Sequence, residues 1–141
     1  MDIALLTGQR PSDVLKLQCA DIRDGALFVA QSKTGAKRAI EIVGELATVI
    51  ARIASRARVR RSTFLIQNDN GRPLSMLGMR GRFDKARKAA GVAFQFRDIR
   101  ARTASDTGDL EHSQELLGHR NRDMTEHYAR ERIGQRVKPL R

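Results

Sequence analysis

Cysteine, proline and aromatic residues are scarce in this 141-residue sequence, which has one Cys, three Pro, one Tyr and no Trp. A lone Cys19 cannot close an internal disulfide, so packing must hold the fold and a reducing compartment is expected. Aromatics make up only 4% of residues, which argues against a sheet that binds single strands by stacking bases on exposed rings. No apolar run approaches the roughly 20 residues of a membrane-spanning helix, and no basic-then-apolar leader opens the chain. Cys19, His112, His119 and His127 give neither CxxC nor HExxH spacing, so no metal site is expected. Glycine-rich phosphate loops of the G-x-x-x-x-G-K-[ST] or G-x-G-x-x-G type are missing too.

Positive charge is what the chain has in excess: a formal net charge of +11 and a pI near 11.1. That surplus calls for a polyanionic partner, most simply nucleic acid, and the shortage of aromatics favours duplex DNA held by its phosphates. The excess is local. Residues 51–100 hold 13 basic and three acidic side chains, whereas residues 1–50 balance six against six. Arg52, Arg56, Arg58, Arg60, Arg61, Arg80, Arg82, Lys85, Arg87 and Lys88 carry most of that charge, and Arg80, Arg82, Lys85, Arg87 and Lys88 are the candidate DNA-binding set. The alternatives are a solvated helix face and a phosphate-tracking surface, and the uncompensated imbalance favours the second.

Along the chain, Met1–Thr7 reads as a helix stopped by Gly8, and a second helix opens at Pro11-Ser12-Asp13 with Val14, Leu15 and Leu17 on its apolar side. Asp24-Gly25 between Ala20-Asp21-Ile22 and Ala26-Leu27-Phe28-Val29 signals a hairpin. A further turn at Lys33-Thr34-Gly35-Ala36 completes a three-stranded antiparallel meander over about residues 20–43. Helical spacing begins at Gly44, with Leu46, Val49, Ile50 and Ile53, and further helices are expected at about 75–90, 98–107, 110–117 and 122–130. The fold class is therefore mainly α with a small three-stranded antiparallel sheet, in one domain over residues 1–141.

Candidate chemistry rests on Arg10, Lys33, Arg97, Arg100, His119 and Tyr128. Singly, each has a plain structural explanation: a helix start, a hairpin tip, surface charge, a cap, packing. In order, they form a pattern. Thr7-Gly8-Gln9-Arg10-Pro11-Ser12-Asp13-Val14-Leu15-Lys16-Leu17 resembles the first arginine box of the tyrosine recombinases, the phage integrase family. Ser32-Lys33-Thr34-Gly35 is similar to its β-hairpin lysine, and Arg97-Asp98-Ile99-Arg100 to its His-x-x-Arg box. Leu116-Leu117-Gly118-His119 and Met124-Thr125-Glu126-His127-Tyr128 resemble the last two boxes, with nine residues from His119 to Tyr128. One position departs, because Arg97 stands where the family usually has histidine. A guanidinium keeps a phosphate donor there but cannot accept a proton.

The resemblance implies the catalytic-domain fold of that family and site-specific recombination of double-stranded DNA. Tyr128 would be the nucleophile that forms a 3′-phosphotyrosyl link. Arg10, Arg100 and Arg97 would clamp the phosphate, His119 would donate to it, and Lys33 would protonate the leaving 5′-oxygen. No metal and no cofactor is implied. It further implies that residues 1–141 are an N-terminally truncated catalytic domain without core-binding and arm-binding domains. A tetramer on DNA is implied for the full-length protein, and a monomer or weak oligomer for this piece. Residues 131–141 would form a tail that docks on a neighbouring protomer, and a cytoplasmic, nucleoid-associated location would follow. The rival readings are a decayed or regulatory DNA-binding fragment of an integrase, a type IB topoisomerase relative, and a basic structural nucleic-acid protein.

Overall fold

The computed structural model describes residues 1–119, 123–125 and 127; within residues 1–119 it has six α-helices, a short 3-10 helix (Cys19–Asp21) and one small sheet. Helix α1 (Asp2–Thr7) stops at Gly8, whose φ of 64° is the left-handed cap expected there. Helix α2 spans only Pro11–Val14, with Pro11 in its first turn. The expected apolar side through Leu17 is therefore not helical throughout. After Val14 the backbone is drawn into pairing with residues 62–65: Cys19 N donates to Thr63 O at 2.8 Å, and Leu65 N donates to Leu17 O at 2.9 Å. Leu17 is still buried, delivered by the turn rather than by a helix face.

The meander forms as read, within narrower limits. Strands β1 (Ile22–Arg23), β2 (Ala26–Ala30) and β3 (Lys37–Glu41) pair antiparallel in the order β1-β2-β3. Asp24 and Gly25, both at positive φ, close the first turn. Leu27 and Val29 of β2 point into the core, two residues apart as strand pleating requires.

Helix α3 (Gly44–Val59) buries Leu46, Val49, Ile50 and Ala57 along one stripe. Helix α4 (Met76–Ala89) begins at Ser75, whose hydroxyl accepts from Gly78 N at 3.0 Å. Helix α5 (Phe96–Asp106) starts two residues before its expected position, because Gln95 and Asp98 form a reciprocal capping box. Helix α6 (Leu110–Leu117) is capped by the Asp109 carboxylate and ends at Gly118 in the left-handed region. Residues 123–125 and 127 are helical, within the helix expected at 122–130.

The core joins Ile3 and Ala4 of α1, Leu27 and Val29 of β2, Leu46, Val49 and Ile50 of α3, Phe83 of α4 and Ile99 of α5. Three of the scarce aromatic rings gather at one place: Phe83 meets Phe94 and Phe96 edge-on, with centroids 5.5 and 5.2 Å apart. That contact sets α4 against the start of α5, and with it the position of Arg100.

Candidate active site

Among the described residues, Arg100 is the charge held by the most internal hydrogen bonds. It lies one turn into α5 and is only 8% exposed, so its guanidinium needs internal partners. It donates from Nη1 to Gly8 O at 2.7 Å and from Nη2 to Leu117 O at 2.6 Å. Both acceptors sit just at the ends of helices α1 and α6, where carbonyls lack intrahelical donors and carry the negative end of the helix dipole. The cation is thus held where two helix C-termini meet.

The same Nη2 lies 3.0 Å from His119 Nε2. A guanidinium only donates, so Nε2 accepts and the ring carries its proton on Nδ1, which donates to Thr125 Oγ1 at 2.9 Å. His119 is 6% exposed and Thr125 fully buried. Burial, reinforced by the positive charges of Arg100 and Arg10, lowers the His119 pKa from 6.5 to about 4. At neutral pH the imidazole is uncharged, and it serves here as an acceptor for Arg100. Donation from its Nε2 to a phosphate would require the Arg100 contact to open.

Arg10 is the second cation of this cluster, close enough to weigh on His119. It stands at the N-cap of α2 and is half-buried. Its Nη1 is enclosed yet has no hydrogen-bond partner among the described residues. Lys33 is exposed on the turn between β2 and β3. Arg97, three residues before Arg100, has a different fate: its side chain is 81% exposed, with Asp98 Oδ1 4.0 Å from its Nε. The structure therefore brings Arg10, Arg100 and His119 together, sets Lys33 on the adjoining hairpin, and leaves Arg97 outside the buried cluster. Tyr128 and the tail 131–141 lie outside the described residues.

The basic residues of α4 also differ among themselves. Arg80, Lys85 and Lys88 are exposed. Arg82 reaches Asp69 at 3.7 Å, and Arg87 binds Asp84 at 3.0 Å and Phe94 O at 3.1 Å.

Four polar residues around the site escaped the reading of the sequence: Gln9, Asp13, Gln31 and Thr125. All are buried. Asp13 Oδ1 accepts from Ser32 N at 3.0 Å, which ties the lysine turn to α2. Gln31 had a legible signal, since it continues the inward positions Leu27 and Val29 of β2 in register. An amide on a buried strand face needs partners.

Residues 1–133 match the phage integrase family. The chain belongs to that family. The matched span contains all six residues of the expected catalytic set. The integrase of Escherichia phage HK022 is 33% identical over 141 residues, covering 91% of this chain and 39% of the relative. Among solved structures, a lambda integrase dimer bound to a COC′ core site is similar at a TM-score of 0.80 and 29% identity, covering 98% of this chain and 43% of that one. The lambda integrase catalytic core gives a TM-score of 0.68 at 30% identity, over 85% of this chain and 78% of that one. This phage integrase chain thus spans about 40% of the length of the curated relatives it matches. The mainly helical fold with its three-stranded sheet is that of the integrase catalytic domain.

Proposed function

We propose that this chain is the catalytic part of a tyrosine-type site-specific DNA recombinase, cutting and rejoining duplex DNA through a 3′-phosphotyrosyl link on Tyr128. The observation that carries this reading is the Arg10–Arg100–His119 cluster. Both guanidiniums lie near enough to His119 to lower its pKa, and Arg10 Nη1 is buried without a partner among the described residues. Adjacent cations repel each other unless an anion lies between them, and planar paired donors suit a phosphate.

The chemistry follows from the residue types. A phenol of pKa about 10 is mostly protonated at neutral pH, and a cationic setting favours its phenolate, with the proton released to water. Tyr128 Oη then attacks the phosphorus. Arg10 and Arg100 take up the charge that spreads over the non-bridging oxygens. The P–O5′ bond breaks, and the leaving oxygen takes a proton from Lys33 Nζ. The phosphotyrosyl bond conserves the energy of the phosphodiester, so rejoining to a new strand needs no nucleotide. Side-chain cations fill the role that metal ions fill in two-metal nucleases. The relatives' solved forms, a lambda integrase dimer on a core site and a lambda integrase tetramer on a Holliday junction, support a DNA-bound oligomer for the whole protein.

The test uses nicked suicide duplexes carrying candidate core sites from the DNA that flanks the gene. An SDS-stable protein–DNA adduct, lost in Tyr128→Phe, is the expected result. Specific binding with no adduct would instead identify a DNA-binding fragment without catalysis.

A further inference from the structure

Gln31 and Gln9 form a buried amide pair at the junction of three loops. Gln31 is 1% exposed and Gln9 2%. The Gln9 amide nitrogen donates to two carbonyls, Thr7 O at 2.9 Å and Leu116 O at 2.8 Å. Its Oε1 therefore faces Gln31, whose Nε2 donates to it at 2.8 Å and to Leu117 O at 2.9 Å. The surrounding carbonyls dictate both amide orientations. The remaining Gln31 oxygen accepts from the Thr34 hydroxyl at 2.9 Å, on the turn that carries Lys33. The backbone of Gln31 closes the same turn, with its N donating to Ala36 O and its O accepting from Gly35 N, both at 2.8 Å.

Leu117 O is thus shared. One of its donors is the Gln31 amide and the other is the Arg100 guanidinium. The loop that supplies that oxygen is shaped to receive the amide. Gly118 follows at a φ of +67°, and a Cβ there would lie 2.6 Å from both Gln31 Nε2 and Oε1. A side chain at 118 would displace the glutamine, whatever it did to the helix end.

We propose that Gln31, backed by Gln9, is a positioning residue for Lys33: it fixes the lysine turn against the carbonyl that also fixes Arg100. This rests on the reading of Lys33 as the acid of the proposed reaction. Without it, a lysine with four rotatable side-chain bonds would stand on a turn tied through Ser32 to Asp13 of α2, away from the carbonyl that holds Arg100. With it, the ammonium works from a point set relative to the phosphate clamp, and general acids act only from a held position.

The leaving group gives a readout that a merely structural role would not move. When Tyr128 Oη bonds to phosphorus, the P–O5′ bond breaks and O5′ takes the Lys33 proton. A 5′-bridging sulfur in its place leaves as a thiolate, whose conjugate acid has a pKa of about 8.5, and needs no acid. Adduct formation is measured on nicked duplexes with oxygen or sulfur at that position, for the parent chain, Lys33→Ala, Gln31→Leu and the milder Thr34→Val. Gln31→Leu is expected to slow the oxygen substrate by about 10- to 100-fold, within the usual range for losing general acid catalysis, and to approach the parental rate on sulfur. Thr34→Val should show the same pattern with a smaller loss, and it keeps the test open if Gln31→Leu does not fold. Equal slowing on both substrates, or no slowing, with Lys33→Ala still rescued by sulfur, overturns the role of Gln31 alone. Failure of sulfur to rescue Lys33→Ala overturns the acid reading beneath it.

Discussion

Arg100 and Arg80 carry the same side chain and are used in opposite ways. Arg100 is enclosed by two helix ends and an imidazole, with at least three of its five donors committed inside the protein. Arg80 projects from α4 into solvent, one of several exposed cations on residues 51–100. A buried guanidinium is fixed in place by its acceptors, so it can meet one phosphate in one geometry. An exposed one contributes to a field that many phosphates share, and salt screens it. On the proposed function, the molecule thus separates where DNA is cut from how strongly it is held.

The sharpest break between those two functions is expected at Tyr128. Tyr128→Phe should abolish adduct formation while the affinity for duplex DNA stays within about 2-fold, since only the nucleophilic oxygen is lost. Gel shift and denaturing gels on the same samples check this; an adduct in the variant would place the nucleophile elsewhere.

Arg100→Ala comes next, because it damages stability and cleavage together. Gly8 O would lose a charged donor inside the protein, at about 1–3 kcal/mol if left unsatisfied, whereas Leu117 O would keep the Gln31 amide. Cleavage should fall by roughly 100-fold or more. Chemical denaturation and single-turnover cleavage measure the two losses. Arg100→Lys, which keeps the charge without the fork, should recover little of the cleavage. A stable Arg100→Ala that cleaves at the parental rate would erase the contrast with Arg80.

His119 tests the buried side through pH. Its pKa is depressed to about 4 in the folded chain, against 6.5 when unfolded. Between those values the unfolded state binds the proton and the folded state does not, so this contribution is complete above pH 6.5 and is lost as pH falls toward 4. From pH 7 to 5 the loss should amount to up to about 2 kcal/mol. His119→Gln should flatten that part of the denaturation profile. An unchanged pH slope in the variant would mean that His119 is not held neutral by its surroundings.

The smallest effect belongs to the exposed side. Arg80→Ala with Lys85→Ala should make the log–log dependence of DNA affinity on salt shallower, by about 0.9 for each phosphate contact removed. Cleavage at saturating protein should be unchanged. A slope identical to the parent's would remove α4 from the DNA-facing surface.

Much of this architecture is legible without coordinates because it is local. Asp24-Gly25 forces a hairpin turn, the Leu46–Val49–Ile50 spacing makes one helix face, and Gly8 and Gly118 each end a helix. The order of the boxes, and the concentration of charge in residues 51–100, are likewise properties of the string. Helix α2 was harder to read. Its apolar spacing runs on past Val14, but the backbone beyond it pairs with residues 62–65 instead.

The division of labour among like residues was decided only in three dimensions. Arg97 and Arg100 sit three apart on one helix and read alike in the sequence, yet one is exposed and the other enclosed. The difference comes from Gly8 and Leu117, which lie 92 and 17 residues away and supply their carbonyls to one position and not the other. The depressed pKa of His119 and the amide pair of Gln9 and Gln31 have the same origin. The sequence determined the turns, the helix faces and the charge, which depend on neighbours a few residues apart. Burial and hydrogen-bond pairing depend on which distant segments meet, so only the tertiary structure decided which cations would form a site and which would form a surface.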